Sequence, residues 1–379
     1  MDFSFTEEQT LLRNMVQSFV QDNYDFDARM KNVHSETGMN RDIWQQFAEL
    51  GLLAAPFSES LGGLDGGPIE TMVIMEELGR GLVVEPYLPT IILCGGILNR
   101  HASDAQKQAH LPSLIAGETI WALAYSERQS RFNLADISTT AQQNGDAYML
   151  NGVKSVVLGG PWADKLIVSV RLSGAQRDSD GVGLFIVDKS ADGVSTQDYL
   201  TVDGGRASEV TLENVEVKAD ALVGGAGKGL PILEEAVDFG IGALCAEAIG
   251  QIKMLNDATV EYCKTRKQFG VPIGSFQVLQ HRMVDMFMEY EQSVSMTYMV
   301  NMKLDENGSD RAKAASGAKV QIGKAGRFVG QQAVQMHGGM GMTEELNVGH
   351  YFKRLTMIDT QFGNIDHHLR RFAAASATK

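Results

Sequence analysis

The sequence predicts an α+β protein in three serial parts: an N-terminal helical domain over residues 1–118, a middle antiparallel β domain over 119–225, and a C-terminal four-helix bundle over 226–379. Three observations predict it. The hydrophobic spacing is helical, then strand-like, then helical again. Turn residues recur every ~8–12 positions in the middle part alone. No internal repeat or low-complexity stretch interrupts the series.

Thr6-Glu7-Glu8-Gln9 has the form of a capping box, and Leu11, Leu12, Met15, Val16, Phe19 and Val20 then share one helical face. A second helix carries Ile43, Trp44, Phe47 and Leu50, with Gly51 placed to end it. Gly62-Gly63 and Gly66-Gly67-Pro68 punctuate the chain before a third helix over 69–79. In the middle part, 147–150 and 153–158 read as strands around the turn signal Asn151-Gly152. Strands over 165–170 and 183–187 flank a solvated loop at 173–181, and 209–212 and 215–217 close a compact antiparallel barrel or sandwich. Long helices are expected over 230–265, 275–303, 309–337 and 363–375.

The chain has 379 residues, enough for a large core, with 47 acidic against 33 basic side chains and a formal charge of −14. That balance repels nucleic acid and anionic membrane surfaces, so neither is an expected partner. An anionic small ligand would need a locally basic or amide-lined site. No apolar run reaches the ~18 residues that span a bilayer. Met1-Asp2-Phe3-Ser4-Phe5 lacks the basic and apolar regions of a signal peptide. Cys94, Cys245 and Cys263 are odd in number and dispersed, so a reduced cytoplasmic location and no metal site are expected. The 18 methionines suit adaptable helix packing.

Two segments carry chemistry. Arg266-Lys267-Gln268-Phe269-Gly270 offers a guanidinium for a phosphate and a flat ring for a base or ribose, or is simply a basic helix end capped by glycine. Gln335-Met336-His337-Gly338-Gly339-Met340-Gly341 offers glycine N–H groups to a pyrophosphate, or is a flexible interhelical turn with a buried histidine.

In order and spacing these segments resemble the acyl-CoA dehydrogenase family. Phe5-Thr6-Glu7-Glu8-Gln9, Leu61-Gly62-Gly63, Asn151-Gly152-Val153-Lys154 and Phe276-Gln277-Val278-Leu279-Gln280 extend the resemblance over the whole chain. It implies FAD bound at a subunit interface of a tetramer, an acyl-CoA substrate, and electron transfer to an electron-transfer flavoprotein. Arg266 and Phe269, with Gln335, Gly338 and Gly339, match residues that reach a neighbouring subunit's FAD, and Gln277 matches a further FAD contact.

The positions that the resemblance assigns to catalysis differ. The family's base is a glutamate in a Y-E-G-T stretch, matched here by Gln361-Phe362-Gly363-Asn364; Gly363 is kept, but Phe362 accepts no proton. The base position used by other members is Gly240, and the adjacent substrate arginine is Ile241, although Asp238 is kept. No catalytic residue is therefore assigned. Glu247 is expected to make a packing or interhelical contact. The W-I-T stretch, whose hydroxyl meets flavin N5, is replaced by Val156-Val157-Leu158; Ser126 keeps the hydroxyl of an earlier threonine; and the loop G-A-G-S-D becomes Ser130-Arg131-Phe132-Asn133. The tail resembles small, base-lacking subunits of α2β2 members, such as pimeloyl-CoA and steroid side-chain dehydrogenases. The leading expectation is a degenerate subunit that completes a catalytic partner's FAD site. The alternatives are a self-sufficient homotetramer with a relocated base at Asp238, Asp359 or Asp366, a non-enzymatic CoA- or flavin-binding scaffold, and a flavin hydroxylase on the same fold.

Overall fold

The computed structural model describes residues 4–306 and 308–377; Met1 to Phe3 of the opening segment lie outside the described residues. They form two compact units, one from Met1–Lys31, Pro68–Val83 and Ile241–Lys379, the other from Asn32–Gly67 and Val84–Gly240.

The capping box starts α1 (Glu7–Asn23): the Thr6 side chain accepts from the Gln9 N–H at 3.1 Å, and the Gln9 side chain accepts from the Thr6 N–H at 3.0 Å. Val16 and Val20 are buried, but Leu11 is exposed, contrary to the expected face, because it sits about 140° around the helix from Val16. A helix without a sequence signature, α2 (Phe26–His34), precedes α3 (Arg41–Glu49), where Asn40 caps the start and Gly51 turns the chain at φ +76°. Beyond α4 (Pro68–Arg80) lies a wholly buried π-helical stretch, Leu88–Gly95, then α5 (Gly96–His101) and α6 (Asp104–Ile115), which the sequence reading does not resolve.

In the second unit β1 (Trp121–Ala124), β2 (Thr140–Asn144), β3 (Ala147–Leu158), β4 (Lys165–Arg171), β5 (Val182–Asp188), β6 (Val194–Leu200), β7 (Arg206–Lys218) and β8 (Leu222–Val223) form one sheet. Its order is β6-β7-β3-β2-β4-β5-β8, with β1 beside β4. It is not purely antiparallel: β1 runs parallel to β4, and β2 meets β4 in parallel at Thr140 and Arg171. The hairpin expected at Asn151-Gly152 is also absent. β3 runs straight through, and the reversal lies at Gly145-Asp146. Gly152 is small because Thr139 packs against it, where a Cβ would stand 2.5 Å from the Thr139 hydroxyl, and the Asn151 side chain accepts from the Asn214 N–H at 2.8 Å. Leu150, Val157, Val168, Phe185, Val210 and Leu212 centre the sheet's core.

The first unit holds α7 (Gly229–Thr265) from Ile241 onward, then a short β9 (Lys267–Gln268) and β10 (Val271–Pro272), and α8 (Gln277–Met302), α9 (Gly308–His337), α10 (Asn347–Thr360) and α11 (Ile365–Ala377). The unpredicted helix here is α10, whose buried side is Val348, Tyr351, Leu355 and Ile358. α4 and α7 cross at backbone contact. A Cβ on Gly250 would stand 2.1 Å from the Glu76 carbonyl oxygen, and one on Gly79 would stand 2.2 Å from that of Glu247. Beside this crossing Arg13 and Arg80 share the buried Glu76 and Glu77 at 2.6–3.3 Å. Among the described residues no helix is long and apolar enough to cross a membrane. Gly250→Ala is expected to lower stability by about 1–3 kcal/mol in denaturant titration, since neither backbone can yield to the new methyl.

Candidate functional site

α7 ends one residue before Arg266, and the chain then folds back so that β9 pairs with β10. The two tip residues, Phe269 and Gly270, have φ of +54° and +83°, as a two-residue primed turn requires. Glycine accepts this backbone freely, whereas a phenylalanine there is strained, and strain of this kind collects at functional sites. Phe269 is 93% exposed, its ring edge-on to Phe276 with centroids 6.2 Å apart.

α9 ends at His337, and Gly338 turns the chain at φ +63°. A Cβ added at Gly270, Gly338 or Gly339 would meet nothing within 4 Å. Arg266, Gln277 and Gln335 are exposed, and Arg266 has no ion-pair partner among the described residues. Tyr262, one turn before Arg266, stacks on His337 with ring centroids 4.4 Å apart, which brings the Arg266 arm beside the Gly338 turn. Arg282 on α8 donates to Gln332 on α9 at 2.7 Å. A guanidinium without an ion-pair partner among the described residues, a displayed ring and glycines that leave the backbone unscreened by side chains are features that suit a dinucleotide.

The α10–α11 turn holds the position matched to the family base. Phe362 is in left-handed backbone at φ +59°, and it is 8% exposed. Lys319 of α9, wholly buried, donates to the carbonyls of Asp359 at 3.0 Å and Gly363 at 2.8 Å. Burial pulls its ammonium down to about 8, against the opposing pull of the Asp359 carboxylate. The His368 Nε2 lies 3.2 Å from the Phe362 carbonyl oxygen, and the imidazole is held well below the usual histidine range, first by burial and then by Lys319. The sequence reading missed this clamp. Its one signal was a lysine on the buried stripe formed by Ala315, Ala318 and Ile322.

The three carboxylates considered as relocated bases lie in different surroundings. The Asp359 carboxylate accepts from Arg327 at 3.0 Å and packs where Gly323 lacks a Cβ, and Asp366 is exposed in the first turn of α11. Asp238 is buried near the start of α7. Glu247 makes an interhelical contact, its two oxygens receiving Arg354 at 2.6 and 2.7 Å.

Ser126 lies in the other unit, where its carbonyl accepts the Ser155 N–H at 2.8 Å. The next residue, Glu127, is buried and receives Lys154 at 2.6 Å, the N–H and hydroxyl of both Ser138 and Thr139, and Gln129. Burial alone would push its carboxyl up. Lys154, Ser138 and Gln129 overcome that and hold it far below the usual range, while burial pulls Lys154 down to about 8. At Val156 β3 bulges, with φ +54°, and Glu209 accepts from the Val156 N–H at 3.3 Å and the Ser155 hydroxyl at 2.8 Å. The loop that replaces the family's glycines is still turned, with Arg131 in left-handed backbone.

Helices, a β sheet and long helices in this order are the fold of a class of flavin-nucleotide oxidoreductases. Family models match consecutively: "Acyl-CoA dehydrogenase, N-terminal domain" at residues 6–118, its middle domain at 122–215 and its C-terminal domain at 227–377. The mitochondrial isovaleryl-CoA dehydrogenase of Pongo abelii is 32% identical over 92% of this chain and 84% of its own. The short-chain-specific acyl-CoA dehydrogenase of Clostridium acetobutylicum is 28% identical over 92% of each. Among solved structures, the ChsE4-ChsE5 complex from Mycobacterium tuberculosis superposes with a TM-score of 0.91 at 25% identity over all of both chains. The FAD complex of PigA gives 0.92 at 26% over 100% of this chain and 99% of its own. The chain belongs to the acyl-CoA dehydrogenase family.

Glu127→Gln is expected to cost about 3–5 kcal/mol by leaving the Lys154 ammonium buried without its counter-ion, and Lys154→Met added to it should recover part of that loss in chemical denaturation. Because Glu127 is depressed in the fold, its contribution should be complete above pH 4.5 and fade as pH falls below it. Lys154 and Lys319, depressed from 10.5 to about 8, should instead add stability as pH rises through that interval, checked by melting temperature against pH.

Proposed function

We propose that this chain is the base-lacking subunit of an FAD-dependent acyl-CoA dehydrogenase and completes the FAD site of a separately encoded catalytic partner in an α2β2 tetramer. As a member of the family it takes FAD, which when bound accepts the hydride from the acyl β-carbon. Arg266 and the N–H groups of Gly338 and Gly339 would hold the pyrophosphate, Phe269 the adenine side, and Gln335 and Gln277 further polar atoms. Ser126 supplies a hydroxyl on its own unit, and Asp238 and Gly363 are the substrate-side positions retained. Acyl-CoA is the substrate of the assembly and an electron-transfer flavoprotein its electron acceptor.

The observation that carries this reading is the pair of aromatic residues on one unit. Phe269 is displayed beside unobstructed glycines, while Phe362, at the position that the resemblance matches to the base, is buried and can accept no proton. The similar ChsE4-ChsE5 structure, a complex of two named components, supports a two-subunit assembly. The alternative, a self-sufficient homotetramer, would use Asp238, Asp359 or Asp366 as its base; of these Asp359 accepts from Arg327 and Asp366 is exposed.

The purified native assembly should contain one FAD per two unlike chains, measured by flavin absorbance and intact mass; one FAD per identical chain would overturn the reading. Arg266→Ala should weaken FAD retention by about ten- to hundredfold, the worth of one charge-assisted hydrogen bond.

A further inference from the structure

Arg266 and the Gly338–Gly339 turn stand at the ends of two different helices. A ligand gripped by both binds well only if their separation is set beforehand, since ordering them on arrival costs affinity. Tyr262 is the side chain that spans from one helix end to the other.

Its ring lies over that of His337 with an interplanar angle of 31°, and its hydroxyl points to the His337 carbonyl, at the end of α9, at 3.5 Å. His337 is buried, and burial holds its imidazole below the usual range. Its Nδ1 lies 2.8 Å from the Ala333 carbonyl oxygen, so the neutral ring donates there and is fixed to its own helix. On the other side the Tyr262 carbonyl accepts the Arg266 N–H at 2.8 Å, and the Arg266 carbonyl accepts the Ile273 N–H at 2.8 Å. Gly274 lets the turn after β10 lie against α7, where a Cβ would stand 2.9 Å from the Cys263 carbonyl oxygen. The path from Gly338 through His337 and Tyr262 to Arg266 and the Phe269 turn is therefore unbroken.

We propose that Tyr262 and His337 are positioning residues for the FAD half-site: their stack sets the distance between the Arg266 guanidinium and the Gly338–Gly339 turn. This rests on the reading that the edge receives FAD. Neither residue touches the reacting atoms.

The test is FAD titration, followed by flavin fluorescence, into the flavin-stripped full-length assembly. Tyr262→Leu should raise the FAD Kd by about tenfold, and Tyr262→Phe, which keeps the ring face, should stay within about threefold of the parent. The two effects should not multiply: Tyr262→Leu combined with Arg266→Ala should bind little worse than Arg266→Ala alone, because a misplaced guanidinium and a missing one are the same loss. A residue that merely stabilises the fold would give independent, multiplying losses. An unchanged Kd for Tyr262→Leu, or multiplying losses, overturns the proposal. If Tyr262→Leu does not accumulate, His337→Asn removes the stack from the other helix and is read in the same way. Arg266→Ala separates the two levels. If it leaves FAD binding unchanged, the parent reading fails and this inference fails with it. If it weakens binding while Tyr262→Leu does not, only this inference fails.

Discussion

A lysine ammonium withdrawn from water must be enclosed by oxygen, and two of the regions described above, the segment after Ser126 and the α10–α11 turn, are each held by one such ammonium. Lys154 is surrounded by Glu127 and the Ser169 hydroxyl, and Glu127 in turn gathers Ser138 and Thr139, so the segment after Ser126 is tied to the sheet. Lys319 meets main-chain carbonyls instead and fixes the α10–α11 turn. Desolvation is the larger force on both, and both ammoniums are pulled down by it. Enclosing a charge in this way is weak as a source of stability and effective as a source of uniqueness, because every alternative loop path leaves the charge unsatisfied.

Two phenylalanines in left-handed backbone show how the same local strain serves opposite ends. At position 269 a two-residue turn imposes the conformation and leaves the ring in solvent, where another molecule can cover it. At position 362 the Lys319 and His368 contacts to neighbouring carbonyls impose it and the ring is buried. Neither conformation is one that phenylalanine chooses, so each is held by its surroundings. One ring is thus displayed at a turn and the other is packed inside the helices.

Much of the fold was legible because it rests on short-range chemistry. The Thr6–Gln9 capping box, the Gly51 stop and the long helices after residue 226 follow from periodicity and end chemistry alone. Asn151-Gly152 misled because the dipeptide is a turn signal only when no close neighbour needs the space, and Thr139 needs it. The helix α2, the π-helical stretch and the parallel β1–β4 pairing carry no local signature, since their partners are distant in sequence.

From the sequence alone came the order of parts, and the expectations that Arg266, Phe269, Gly338 and Gly339 face a nucleotide and that Phe362 stands at the position matched to a carboxylate. These are matters of residue identity and spacing. Only the tertiary structure decided that Glu247 belongs to Arg354, that Asp359 belongs to Arg327, and that Tyr262 couples the ends of α7 and α9. A side chain's partner depends on which helices are brought within a few ångström, and packing decides that across separations of up to 107 residues.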